Sequence, residues 1–403
     1  MSFMFSELIA RGSIIVNDGY RTKQSELSPT GIPILRVAEI GDGFLAPKSE
    51  DRIDESFRPA IGIKISQPGD VLLTTKGTVG RRAIVPDSGA GFAYSPQVCF
   101  FRVLDKSIDP QWLYYWLGGR EFWAQAIGVS AQTDMAPYIS LRDLRAIAIE
   151  LPTIGEQRAI AATLGALDDK TESNQRTMLL LSELVSAEFA RVVSGSEIPH
   201  EFLGDVTTTT KGRSYKSAEL EESDTALVTL KSIDRNGGYK RDGLKPYTGI
   251  YKPDQIVRPG EIVVAQTDLT QGAEVVGRGV RVPESGEYQT LVASLDLAIV
   301  RPKGDMPVEY LYGLLSSEAF RQHCRSHVTG TTVLHLAKDA IPSWRAPIAA
   351  TNDQHEFAVT ARALLTRADF LGRENERLIA LRDSLLPELL SGRIRVPIKE
   401  AAP

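Results

Sequence analysis

Cysteine is nearly missing from this chain of 403 residues: only Cys99 and Cys324 occur, far apart in sequence. Two such cysteines form neither a disulfide framework nor a zinc signature, and they suit a reducing cytoplasm. No run of about 18 apolar residues exists, so no membrane span is expected. The first ten residues lack a basic stretch ahead of an apolar one, and Glu7 interrupts them, which argues against a secretory signal. A basic excess is also lacking. The formal net charge is −5, unlike that of a nonspecific nucleic-acid coat. A sequence reader is compatible with that balance, because affinity depends on where the charges sit and partners can supply phosphate contacts.

Catalytic signatures are missing as well. There is no Asn/Asp-Pro-Pro-aromatic motif for amino methylation, no nucleotide fingerprint, no Walker loop and no Glu/Asp-x-Lys nuclease pair after Pro-Asp. Gly77-x-x-Gly80 and Gly277-x-Gly279 lack the ending and spacing that cradle phosphate, so they are turn glycines. His323, Cys324, His327 and His335 resemble a metal cluster, yet the other half has no histidine or cysteine around Gln125. No catalytic, metal or cofactor site is expected on this chain.

What is present is a repeat. Gly19-x-x-x-Lys23-x-x-Glu26-Leu27 recurs 193 residues later as Gly212-x-x-x-Lys216-x-x-Glu219-Leu220. The same shift carries Ile34–Ile40 onto Leu227–Ile233. Gln67-Pro68-Gly69-Asp70-Val71-Leu72-Leu73 then matches Arg258-Pro259-Gly260-Glu261-Ile262-Val263-Val264, and Trp112–Leu117 matches Tyr310–Leu315. Each half begins strand-rich, with Pro-Gly turns and β-branched runs. A short aromatic helix, a last strand and a long helix follow.

The long helices carry heptads. Leu164, Thr171, Met178, Val185 and Val192 recur every seventh residue, with Leu167, Asn174, Leu181 and Glu188 in the second row. In the other helix Leu364, Leu371, Leu378 and Leu385 recur, with Leu381 assigned to the partner row. A sustained seven-residue repeat favours helix pairing over two independent surface helices. Thr171 and Asn174 are polar seam residues of the kind that fix register. Each heptad run of roughly 30 residues would span about 45 Å. Ser194-Gly195-Ser196 and Ser391-Gly392 end the helices, with glycine where a left-handed cap is expected.

The fold class is therefore α+β: two tandem β-rich domains, separated by two long helices in an antiparallel coiled coil, with an internal pseudo-two-fold repeat. The boundaries are 1–151 and 196–346 for the domains, 152–195 and 347–396 for the helices, and 397–403 for a tail. Candidate pairing or docking residues are Leu164, Thr171, Asn174, Met178, Leu181 and Val185, with Leu364, Leu371, Leu378, Leu381 and Leu385.

Two polar loops in each half could reach base edges. Tyr20, Arg21 and Lys23 lie in the first loop of the first half, and Arg213, Tyr215 and Lys216 in its repeat. Lys76, Thr78, Arg81 and Arg82 lie in the second loop, repeated loosely around Thr267, Thr270 and Gln271. Arg and Lys suit guanine or phosphate, Gln suits adenine, and Thr suits either strand's polar groups. The loops differ while the frame repeats, as a reader of two unlike half-sites requires. Ordinary solvated loops are the plainer alternative for any one residue.

Three segments carry a family resemblance: Gly-x-Pro-Ile-Leu-Arg-Val at Gly31–Val37, Pro-Gly-Asp-Val-Leu-Leu at Pro68–Leu73, and Leu-Pro-x-x-x-Glu-Gln-Arg-x-Ile at Leu151–Ile160. Followed by a long helix ending in Ser-Gly, they resemble the specificity subunits of type I restriction–modification enzymes over nearly the whole chain. The second copy departs from the pattern: of Glu-Gln, only Gln354 has a clear match. The resemblance implies two target recognition domains reading a split sequence in double-stranded DNA. It implies two modification subunits and motor–nuclease restriction subunits as partners. S-adenosylmethionine, ATP and Mg2+ would be bound by those partners. The competing class is a duplicated β-rich protein-interaction scaffold that ignores DNA, which the acidic net charge favours.

Overall fold

The computed structural model describes residues 2–89, 91–130, 138–195, 197–235, 237–270 and 272–397. Two compact units result. One joins the chain up to Thr171 with the residues from Arg377 onward, and the other is Glu172–Glu376. Each unit thus contains one β-rich half and a segment of both long helices.

In the first unit, Val71–Thr74 and Val98–Val103 are almost wholly buried, so they show no polar alternation. They pair antiparallel in a four-stranded sheet with Ile14–Asp18 and Arg82–Ile84. Side chains alternate between the two faces with period two. Val71, Leu73, Cys99 and Phe101 enter a core with Phe5, Trp112 and Trp116. Leu72, Val98 and Phe100 enter a second core with Leu35 and Tyr94. A smaller sheet contains Leu27–Ser28, Arg52–Ile53, Ile32–Leu35 and Ala93–Tyr94.

The second unit repeats the scheme. Thr207–Lys211, Leu297–Pro302, Ile262–Ala265 and Gly279–Arg281 form its sheet in the same order. Ile262 and Val264 face one core, Val263 and Ala265 the other. The aromatic helices span Pro110–Trp116 and Val308–Ser316. The final strands, Ala148–Glu150 and Arg345–Pro347, pair with Ser2–Met4 and His200–Phe202.

The repeated Pro-Gly-acid turn has a physical reason. The Asp70 carboxylate accepts two hydrogen bonds of 2.7 Å from the Arg102 guanidinium and one of 2.6 Å from the Tyr94 hydroxyl, all buried. Glu261 accepts from Arg301 in the same way at 2.6 and 2.9 Å. A carboxylate in that turn ties it to the central strand. Removing one partner of the buried pair would leave an uncompensated charge, at a cost of about 3–5 kcal/mol.

The long helices are Ile154–Val192 and Thr351–Leu390, longer than their heptads suggest because their first turns sit in the unit cores. Gln157 is fully buried. It donates to the carbonyls of Ser107 and Pro152 and accepts from the Asp109 N–H. Gln354 keeps the bond to the fifth residue before it, Ala349. Its other anchors are replaced by the Tyr310 hydroxyl, which donates to Pro347 O and accepts from Ala349 N–H. Gly392 ends the second helix in the left-handed region at φ 71°, whereas Gly195 does not adopt it.

Within the second unit the two helices run antiparallel. Asn174 Nδ2 donates to Asn375 Oδ1 at 2.8 Å and to Glu374 at 2.7 Å, Met178 meets Gly372, and Phe189 meets Phe357. In the first unit Arg382 donates to Asp168 at 2.9 Å, and the Tyr115 hydroxyl donates to the other Asp168 oxygen at 2.6 Å. Leu164, Asn174, Val185 and Leu371 are buried, while Thr171, Met178, Leu181, Leu364, Leu378 and Leu385 are half-buried. Leu381 lies off the seam at 46% exposed. The second row instead passes through Ala361, Ala368, Asn375, Arg382 and Leu389, a row hidden in the sequence by its small and polar members.

Candidate nucleic-acid interface

Strand register decides where the polar loops emerge. Asp18 pairs with Cys99 and Thr74 with Val98, so two neighbouring strands both end beside the start of the central strand. Lys211 with Ala298 and Ala265 with Leu297 repeat this in the second unit. Each unit therefore gathers its two loops at one end of its larger sheet.

A third segment lies between them. Gly19 N–H donates to Val98 O and Tyr20 N–H to Tyr94 O, while Thr75 N–H donates to Gln97 O. Gly212, Arg213 and Gln266 make the matching bonds to Leu297, Ala293 and Asp296. The repeated glycine is needed for this crossing. A Cβ at Gly19 would stand 2.1 Å from Ser95 O, and one at Gly212 would stand 2.0 Å from Ser294 O. The repeated Lys-x-x-Glu also becomes intelligible. Glu26 and Glu219 accept the backbone N–H groups of Lys23 and Lys216, which closes a short helical turn.

In the first unit Arg21, Lys23, Lys76 and Thr78 are exposed. Tyr20 is half-buried, with its hydroxyl 3.3 Å from Glu26, and burial followed by the Glu26 charge raises its pKa. The Lys76 ammonium stands 5.2 Å from the centre of the Tyr138 ring. Arg81 donates to Ile40 O at 3.2 Å, and Arg82 donates to Tyr114 O at 2.9 Å and lies over the Tyr114 ring. Both guanidiniums are half-buried and partly committed inside the unit.

In the second unit Lys216 is exposed, and Arg213 and Tyr215 are half-buried. Lys245 lies over the Tyr215 ring. Thr267 is buried, and its hydroxyl donates to Asp296 at 2.9 Å. Thr270 donates its N–H and hydroxyl to Asp268. Gln271 lies outside the described residues.

Sequence reasoning missed three features. The turns at Ser95–Gln97 and Ser294–Asp296 complete each loop cluster; a serine three residues before each central strand was the available signal. Asp268 was not singled out, yet its buried carboxylate also accepts from Val275 N–H at 2.5 Å and Val276 N–H at 3.1 Å. Burial pushes this carboxyl up, but the four donors outweigh it and hold it below the ordinary range. Finally, Thr267–Asp268 pairs with Leu334–Leu336, which pairs with Val328–Thr329.

Beside this loop, Arg278 and Arg321 donate to Glu274 O, and Arg325 donates to Ala273 O. Burial and then mutual repulsion among these guanidiniums lower the pKa of Arg278 and Arg321. Ala273 is held at φ 50°. His323 and His327 bond to the carbonyls of Ala340 and His323. On the first long helix Leu180 and Leu184, one turn apart, are 59% and 52% exposed, an apolar face away from the seam.

Residues 13–180 match the family model described as the type I restriction modification DNA specificity domain. The chain is 25% identical over 165 residues to the type I restriction enzyme MjaVIII specificity subunit of Methanocaldococcus jannaschii. That alignment covers 40% of this chain and 39% of the relative, so it spans about two fifths of that protein's length. The solved type I restriction–modification S subunit from M. genitalium is similar in fold, with a TM-score of 0.56 at 17% identity. The comparison covers 96% of this chain and 95% of that one.

Proposed function

We propose that this chain is a specificity subunit of the type I restriction–modification family and reads an interrupted DNA sequence, one part with each unit. The observation that carries this reading is the duplicated sheet end: one frame, two copies, unlike loops. Basic and hydroxyl side chains stand there on backbones fixed by the same bonds. Phosphate contacts would set position, and contacts to base edges would set sequence.

The chemistry belongs to partners. Modification subunits would use S-adenosylmethionine to methylate adenine, and restriction subunits would use ATP and Mg2+. The exposed Leu180–Leu184 face offers modification subunits an apolar surface. An acidic chain that relies on partners for phosphate contacts agrees with the net charge of −5. Function in the cytoplasm follows from that role.

Methylation mapping of the host genome, with the gene present and deleted, tests the proposal. A split motif methylated only when the gene is present is the expected result. If the methylome is unchanged, and the chain with a modification subunit gives no salt-dependent gel shift, the scaffold reading takes its place.

A further inference from the structure

The helix Glu318–Ser326 leads into a two-stranded ribbon, Val328–Thr329 and Leu334–Leu336. The ribbon's second strand pairs antiparallel with Thr267–Asp268, and Leu336 N–H donates to Gln266 O at 2.8 Å. Thr267–Asp268 follows the sheet strand Ile262–Ala265 after one residue, Gln266. The ribbon is thereby joined to the sheet end that carries the Gly212 loop. We infer that this ribbon reads base edges in the second half-site, through Thr331 and Thr332 at its tip. The inference rests on the DNA-reading function proposed above and names the element that performs it.

The hydroxyl inventory separates the tip from its neighbours. Thr267 and Thr270 each spend their proton on a carboxylate within the unit, Asp296 and Asp268. Thr331 and Thr332 are exposed and make no hydrogen bond to any described residue. Their hydroxyls are open to donate or accept, and their methyl groups can meet a thymine methyl. Beyond its pairing with Thr267–Asp268 the ribbon is two chains wide, a width that the major groove, about 12 Å across, admits.

The ribbon is held rigidly, as a reading element must be to avoid an ordering cost on binding. Leu336 is buried in the unit's core, and Ala337 N–H donates to His327 O across the ribbon's base. The turn at the tip is tight: a Cβ at Gly330 would stand 2.3 Å from Val333 O. The helix that feeds the ribbon also clamps the neighbouring loop, since Arg321 and Arg325 donate to the carbonyls of Glu274 and Ala273. Asp268 fixes the same loop from inside. Loop and ribbon thus share one support.

The test uses the full chain assembled with its modification subunits and a randomised DNA library, with methylated sequences recovered and read. In Thr331→Ala/Thr332→Ala, discrimination at one or two positions of the second half-site should fall roughly fivefold or more. The first half-site and the gap should stay as they are, which also reports that the variant is folded. Thr331→Ser/Thr332→Ser should restore the preferences that depend on a hydroxyl. An unchanged second half-site in the alanine variant overturns the ribbon assignment alone. Equal loss at both half-sites overturns it too, since that marks a structural role. A wild-type complex that selects no split sequence removes the DNA-reading function itself, and the ribbon's role with it.

Discussion

Asp268 shows how one buried side chain can organise a surface loop. Its carboxylate takes four hydrogen bonds, from Thr270, Val275 and Val276. Those donors hold its folded pKa below the ordinary value near 3.9. A carboxyl depressed in the folded state contributes stability that is fully present above its unfolded pKa. That contribution is lost as pH falls through the folded value. Asp268→Asn should therefore cost about 1–3 kcal/mol at neutral pH, because the amide cannot accept at both positions. The difference from wild type should shrink below about pH 4. Hydrogen exchange across residues 268–276, measured at both pH values, checks this; equal protection in the two proteins would contradict it.

At the scale of the helix pair, the seam's buried polar contact in the second unit is the one Asn174 makes with Asn375 and Glu374. A buried amide pair costs stability relative to leucine but penalises a slipped register, because a slip leaves both amides unsatisfied. Asn375→Ala should destabilise the second unit by about 1–3 kcal/mol, by stripping a partner from a buried amide. Asn174→Leu/Asn375→Leu should sit nearer to wild type in thermal unfolding, at the cost of register. If the double variant is as destabilised as the single one, the pair is holding more than register. The sequence exposed the first helix's seam well, since its polar members were few. It misassigned a row in the second helix: Arg382 occupies that row and donates to Asp168, while Leu381 turns out to solvent.

For the whole molecule, helical rise sets a scale. One heptad adds about 10 Å, or roughly three base pairs. Adding a heptad to both helices at the level of Asn174 and Asn375 should lengthen the tolerated gap in the DNA target and leave both half-sites unchanged. Selection from random DNA reads this directly, and recovery of the original gap would dismiss the helices as spacers. The acidic net charge predicts a second property of the assembly. Affinity of the chain for DNA should rise steeply on adding modification subunits, because counterion release depends on cations the chain itself has in short supply.

The sequence determined the duplicated frame. Apolar runs such as Val71–Leu73 and Ile262–Val264, the Pro-Gly-acid turns and the heptads are local patterns, and local patterns survive in a linear reading. Tertiary structure decided which polar groups remain available. Arg82 looks like a free cation in the sequence but donates to Tyr114 O, and Thr267 and Thr270 spend their hydroxyls on carboxylates of the same unit. The Val328–Leu336 ribbon joined the sheet end that carries the loops through pairing with residues nearly seventy positions earlier. Hydrogen bonds between segments so far apart leave no periodic trace in the chain, because they depend on the register of the sheet rather than on neighbouring residues.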